Sequence, residues 1–261
     1  MTSAKNKTAT LREKLSNWFA SPLGKRVFAA EEEMLEDILP NMFGYHILQY
    51  GYSAESNYLE SSRIADKTIL FLDESEINKG LKAVHTKAEE LPVAADSIDV
   101  IVLPHILEYS KDAHKLLREM DRVLIGDGQV VILGINPFSI WGLWHLFLCW
   151  WGQMPWSGRL VPMHKLKDWL SLLDYEVKKA KSFYFLPPIS NEKLLNKLVP
   201  LEKLGRYCWP FMGGLYVVVA QKRTVPLNPI KMQWKTKRKM LTPGAIEPTT
   251  RNPLKVNVIK K

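Results

Sequence analysis

Leu91-Pro92-Val93-Ala94-Ala95-Asp96-Ser97-Ile98-Asp99-Val100-Ile101-Val102-Leu103 carries the pattern on which the fold assignment turns. From Ile98 to Leu103 it is a short apolar run rich in β-branched residues, led in by a proline and a polar turn, which predicts a strand. The next segment has the other period: Asp112 to Leu124 sets Leu116, Leu117, Met120 and Leu124 along one face of a helix. Gly126-Asp127-Gly128 reads as the turn that ends this helix, and Gln129 to Leu133 as the next strand. On the N-terminal side, candidate strands lie at Tyr45 to Tyr50, Thr68 to Leu72 and Ala83 to Lys87. Toward the C-terminus a helix is expected from Val161 to Leu173, then strands at Tyr175 to Phe185 and Gly214 to Gln221. Alternating strands and helices predict an α/β fold with helices on both faces of a parallel sheet. The late helix and closing hairpin add a seventh strand, inserted antiparallel.

The flanks differ from this centre. Leu11, Leu15, Trp18 and Phe19 have helical spacing up to the Ser21-Pro22 break. Val27, Phe28, Met34, Leu35, Ile38 and Leu39 then form a second apolar face, interrupted by Glu31-Glu32-Glu33. Residues 1–40 are thus expected to be an N-terminal helical cap on a main domain at 41–223. Beyond Thr224 five prolines and scattered Lys and Arg replace any periodic pattern, and residues 224–261 read as a basic, flexible tail.

The formal charge of +9 has to be divided along the chain. From Lys222 to Lys261 there are eleven Lys or Arg and one acid, Glu247, a net +10 that leaves −1 on the first 221 residues. The basicity therefore belongs to the tail, where nonspecific contact with RNA or an anionic membrane is one expectation and simple solubility the other. Two cysteines, Cys149 and Cys208, are too few for a disulfide scaffold and are not spaced as a zinc site. The opening MTSAKNKTATLREKL has no apolar run of the kind a secretory leader needs, so the expected location is the cytoplasm, with the inner membrane surface as a place of peripheral contact.

Around the opening stretch, His105-Ile106-Leu107-Glu108, Leu116-Leu117-Arg118-Glu119 and Arg122-Val123-Leu124 before Gly126-Asp127-Gly128 resemble, in order, the type 11 domain of class I S-adenosylmethionine-dependent methyltransferases. The resemblance is specific over about residues 81–135, and the branch it is most similar to carries Asn136-Pro137-Phe138-Ser139 and Trp141-Gly142 after the fifth strand. It implies a Rossmann-like fold, S-adenosylmethionine as cofactor and no metal. It also assigns positions: Gly51 after the first strand, Asp73 after the second to hold the ribose hydroxyls, and Ala88 with Glu89 after the third, near the adenine. The chain departs from the family pattern at two of these places. Gln49 stands where the first strand would end in an acid, Gly51 is the remaining glycine of the turn, and Lys87 replaces the usual acid after the third strand.

His105 comes after the fourth strand, at the sheet edge where such folds bind ligands, and is the candidate catalytic residue, orienting the acceptor or acting as a base with a near-neutral pKa. The alternative is a His105 that caps the strand and a Glu108 that begins a solvated helix. Arg118, Glu119 and Arg122 read as helix-surface ion pairs, and His114 as solvated. Phe138 to Trp156 contains five tryptophans and no Asp, Glu, Lys or Arg. Within a Trp-rich apolar insertion at 138–160, it reads either as a wall for a hydrophobic small-molecule acceptor or a membrane surface, or as a hydrophobic helix packed on the N-terminal helices. These residues admit two functions: methyl transfer to an unidentified acceptor, or a binding or scaffold role on a methyltransferase fold that has lost turnover.

Overall fold

The computed structural model describes residues 14–51, 57–71, 82–85, 91–148, 158–189, 197–198, 202, 205, 207 and 209–224. Leu11, Asp73, Lys87, Ala88, Glu89, Trp150, Trp151, Trp156, both cysteines and the tail from Val225 lie outside them. The strands are β1 (His46–Gly51), β2 (Asp66–Phe71), β3 (Lys82–His85), β4 (Ile98–Pro104), β5 (Leu124–Ile135), β6 (Tyr175–Phe183) and β7 (Leu215–Lys222). They form a seven-stranded sheet in the order β3-β2-β1-β4-β5-β7-β6. The pairs among β1 to β5 are parallel, whereas β7 runs antiparallel to both β5 and β6. The sequence-based expectation of a Rossmann-like, mostly parallel sheet with the last strand inserted antiparallel holds.

The helices are α1 (residues 14–20), α2 (Pro22–Glu36), α3 (Ile106–Tyr109), α4 (Ala113–Val123), α5 (Ile140–Leu148) and α6 (Met163–Leu172). The Ser21-Pro22 break starts α2, because Ser21 accepts the Gly24 amide at 3.1 Å and Pro22 has no amide to leave unsatisfied. Asp112 caps α4 in the same way, its Oδ1 accepting the amides of His114 and Lys115 at 3.0 and 3.1 Å. On the surface of α4, Arg122 binds Glu119 at 2.6 Å, the ion pair its spacing predicts.

The Gly126-Asp127-Gly128 segment is a correction. It does not end α4 as a separate turn but lies inside β5, which begins at Leu124 directly after the helix. Ile98 pairs with Leu124 while Val100 pairs with Gln129, so the segment is an irregularity in the ladder, with Asp127 at φ 65°. Flexible residues relieve the register without ending the strand.

Strand periodicity divides the core into two layers. Ile47, Ile69, Val100, Val102, Val131, Leu133, Val217 and Val219 face α2 and Trp141 of α5. Leu48, Leu70, Ile101, Leu103, Val130, Ile132, Val218 and Ala220 face α4 and α6. Because α4 comes after β4 and α6 after β5, both begin at the carboxyl edge of the sheet. The strand order reverses between β1, which neighbours β2, and β4, which neighbours β5. In sheets of this kind the ligand crevice lies at such a reversal, here the carboxyl ends of β1 and β4.

Candidate active site

Gly51 ends β1 at this crevice and is buried. A Cβ there would come within 3.2 Å of Pro104 Cγ, the last residue of β4, so glycine keeps the two strand ends close. Gln49 sits deeper in β1, fully buried, where its Oε1 accepts the Tyr58 amide at 2.9 Å. Its carboxamide is thereby committed to fastening the chain after β1. Asp73, Ala88 and Glu89, the other residues assigned to the cofactor, lie outside the described residues.

His105 stands one residue beyond Pro104, in the left-handed conformation at φ 55° and ψ 8°, as the cap of α3. A side chain there costs about 1–2 kcal/mol, so something must hold it. Two carboxylates do. Nε2 lies 2.6 Å from Glu31 Oε1, and Nδ1 faces Glu108 Oε2 at 3.4 Å. Glu31 is completely buried and its other oxygen accepts the Tyr58 hydroxyl at 2.7 Å. Glu108 accepts the Ile135 amide through Oε1 and has a backbone carbonyl that accepts the Arg159 amide at 2.6 Å. One network thus joins α2, the segment after β1, the end of β4, the end of β5 and the chain leading into α6.

This environment changes the chemistry of the ring. Burial alone would push the imidazole pKa down, but the charges of Glu31 and Glu108 and the hydrogen bond to Glu31 outweigh it and raise the value to about 10. This direction runs against the near-neutral expectation: the two buried carboxylates favour the protonated ring. Glu108 is corrected too, since it is buried beside His105 instead of opening a solvated helix. Nearby, the hydroxyl of Tyr216 donates to the Val161 carbonyl at 2.9 Å, and burial together with Glu108 raises its pKa well above the ordinary tyrosine range.

Glu31 and Tyr58 were not expected in the site. A signal for Glu31 exists: Val27, Glu31 and Leu35 recur every fourth residue of α2, so the carboxylate takes the place of an apolar side chain on the buried stripe. A carboxylate in such a position requires a partner. Tyr58 carries no comparable mark.

Beyond Ile135, Asn136 bridges to the Phe211 and Gly213 carbonyls at 2.8 and 3.0 Å, and α5 begins. Trp141 is buried, its indole donating to the Leu186 carbonyl at 2.8 Å, in the layer that contains α2. Ile140, Leu143, Trp144 and Leu146 of α5 are exposed, as are Phe138, Trp209, Phe211 and Met212. The described part of the Trp-rich segment is therefore core on one side and open on the other. Among the described residues no helix is long and apolar enough to cross a membrane.

Residues 50–132 match a family described as a methyltransferase domain. The chain is 37% identical over 218 residues, 82% of its length and 84% of the relative's, to the uncharacterized protein YafS of Escherichia coli strain K12. It is 29% identical over 126 residues to the demethylmenaquinone methyltransferase of Bacillus velezensis, covering 46% of this chain and 52% of that one. In fold it is similar to a SAM-dependent methyltransferase of Thermotoga maritima, described as a possible histamine N-methyltransferase. The TM-score is 0.60 at 16% identity, over 80% of this chain and 94% of that one.

Proposed function

From the premise that this chain belongs to the class I S-adenosylmethionine-dependent methyltransferases with a type 11 methyltransferase domain, we propose that it transfers a methyl group to an apolar small-molecule acceptor. The observation that carries the reading is the sheet order β3-β2-β1-β4-β5-β7-β6, with its reversal between β1 and β4 next to Gly51. S-adenosylmethionine is the cofactor, and it brings an already activated methyl group. The protein's task is alignment and exclusion of water. Gly51, Asp73, Ala88 and Glu89 would hold the cofactor. His105, as an imidazolium anchored by Glu31 and Glu108, positions the β4–α3 turn and the N-terminal cap over the crevice and does not take a proton.

An apolar acceptor is supported by the open face of α5 at the end of β5, and by the Bacillus relative, whose name points to a quinone-type substrate. The same face and the basic tail support peripheral contact with an anionic membrane at the cytoplasmic surface, and the tail also supports nonspecific RNA contact. A second reading, a binding or scaffold protein that has lost turnover, is favoured by one observation: Gln49, where the family has an acid, is buried and committed to Tyr58. Calorimetry of the full chain with S-adenosylmethionine and S-adenosylhomocysteine separates the two. Saturable binding of both is expected, and binding of neither leaves the scaffold reading.

A further inference from the structure

We propose that the cleft between the N-terminal ends of α4 and α6 is a subsite for an oxyanion, a phosphate-type group carried by the acceptor beside its apolar body. The anion site stands on the cleft itself, and its assignment to the acceptor rests on the methyl-transfer reading above.

The cleft has a volume of about 100 Å3. That suits one small polar group, since pockets for drug-sized ligands run to about 300–1,000 Å3. Its floor is apolar, from Leu107 and Val161, and its polar lining comes from Lys111, Arg159, Lys165 and Ser110. Asp112 is the one acid in that lining, and its Oδ1 is taken by the amides that begin α4. Some surface cations have acids, Arg122 with Glu119, Lys222 with Asp121, and Lys178 and Arg223 with Glu176, while others, such as Arg118 and Lys167 on α4 and α6, have none among the described residues. Among the described residues Lys111, Arg159 and Lys165 have no such carboxylate.

Two further contacts shape the cleft. Lys165 Nζ lies 5.3 Å from the centre of the Trp169 ring, against which His114 also packs at 4.2 Å, so the aromatic wall holds one of the cations in place. The Arg159 amide is bound to the Glu108 carbonyl, which fixes this residue to α3 and to the network around His105. One arginine and two lysines among the residues lining the cleft, with its one acid committed to a helix cap, supply the donor types that bind a phosphate or related oxyanion. The cleft and the residues Gly51 and His105 all follow carboxyl ends of strands, so an acceptor anchored in the cleft by its anionic end would lie on the same edge of the sheet.

The test titrates the full chain by calorimetry, without cofactor, with inorganic phosphate and with dihexanoylphosphatidic acid below its micelle concentration. Saturable binding is expected. The double variant Lys111→Gln/Arg159→Gln should weaken it about tenfold or more, as expected for loss of charge-assisted hydrogen bonds, while Arg118→Gln, on the exposed side of α4, should not. Tighter binding of the lipid than of phosphate identifies a lipid headgroup as the source of the anion, and equal binding identifies a free phosphate group; either supports the subsite. All the substituted side chains are exposed, so melting temperatures should be unchanged and the variants comparable. Absence of saturable binding, or binding unaffected by the double variant, overturns the proposal. If phosphate binds as expected while S-adenosylmethionine does not, the subsite stands and its assignment to a methyl acceptor falls.

Discussion

Glu31 and His105 come from parts of the chain 74 residues apart and meet at 2.6 Å in a buried setting. Removing one partner of an isolated buried pair costs about 3–5 kcal/mol, and less here because Glu108 remains beside the ring. Glu31→Gln should therefore lower the urea midpoint clearly, with the Tyr58 hydroxyl bond also disturbed. The histidine gives a pH signature. Its pKa is raised from 6.5 to about 10 on folding, so its contribution to stability is fully present below pH 6.5 and is lost as pH rises toward 10. The stability gap between the native chain and His105→Gln should accordingly be widest near pH 6 and narrow toward pH 10. A gap that stays constant between about pH 7 and 10 would show that the ring is neutral in the folded protein. Asp73→Ala tests the ribose assignment: loss of hydrogen bonds to a charged group should weaken S-adenosylmethionine binding by roughly 1.5–3 kcal/mol.

Helix α5 carries two opposed demands on nine residues. Its inner side is set by Trp141 and by Gly142, where a Cβ would run into the Pro137 carbonyl. Backbone cannot move aside as a flexible side-chain end can, so Gly142→Ala should lower the melting temperature although alanine favours helix more than glycine does. The outer side is free of this constraint. Leu143→Ser/Leu146→Ser should leave melting and cofactor affinity intact, because both side chains are more than half exposed, and should reduce sedimentation with liposomes of anionic lipid. Undiminished liposome binding would move the membrane contact elsewhere, the basic tail being the first alternative.

At the scale of the molecule, the sheet is complete at Lys222: β7 pairs along its length with β5 on one side and β6 on the other. A chain ending at Thr224 should therefore melt at the same temperature as the full chain, while its salt-sensitive adsorption to RNA or anionic vesicles falls with the loss of the tail's positive charge. A marked drop in melting temperature would instead make the tail part of the fold.

The layers of this protein are legible in its sequence. Strand and helix periods are local, and runs such as Ile98 to Leu103 and the Leu116, Leu117, Met120 face announce burial without reference to any other segment. The family pattern around His105 is legible for the same reason, being contiguous in the chain. Even Gly126-Asp127-Gly128 marks itself as irregular, though the pairing of β4 with β5 is needed to turn that irregularity from a helix-ending turn into a feature of the strand. The state of the site, by contrast, is settled by packing. Whether His105 is a base or an imidazolium depends on which carboxylates surround it, and they arrive from α2 and α3 in a buried space where charge interactions are stronger than in water. The cationic cleft is likewise a property of where α4 and α6 begin, not of any single stretch: Lys111, Arg159 and Lys165 are scattered in sequence, and the carboxyl edge of the sheet gathers them.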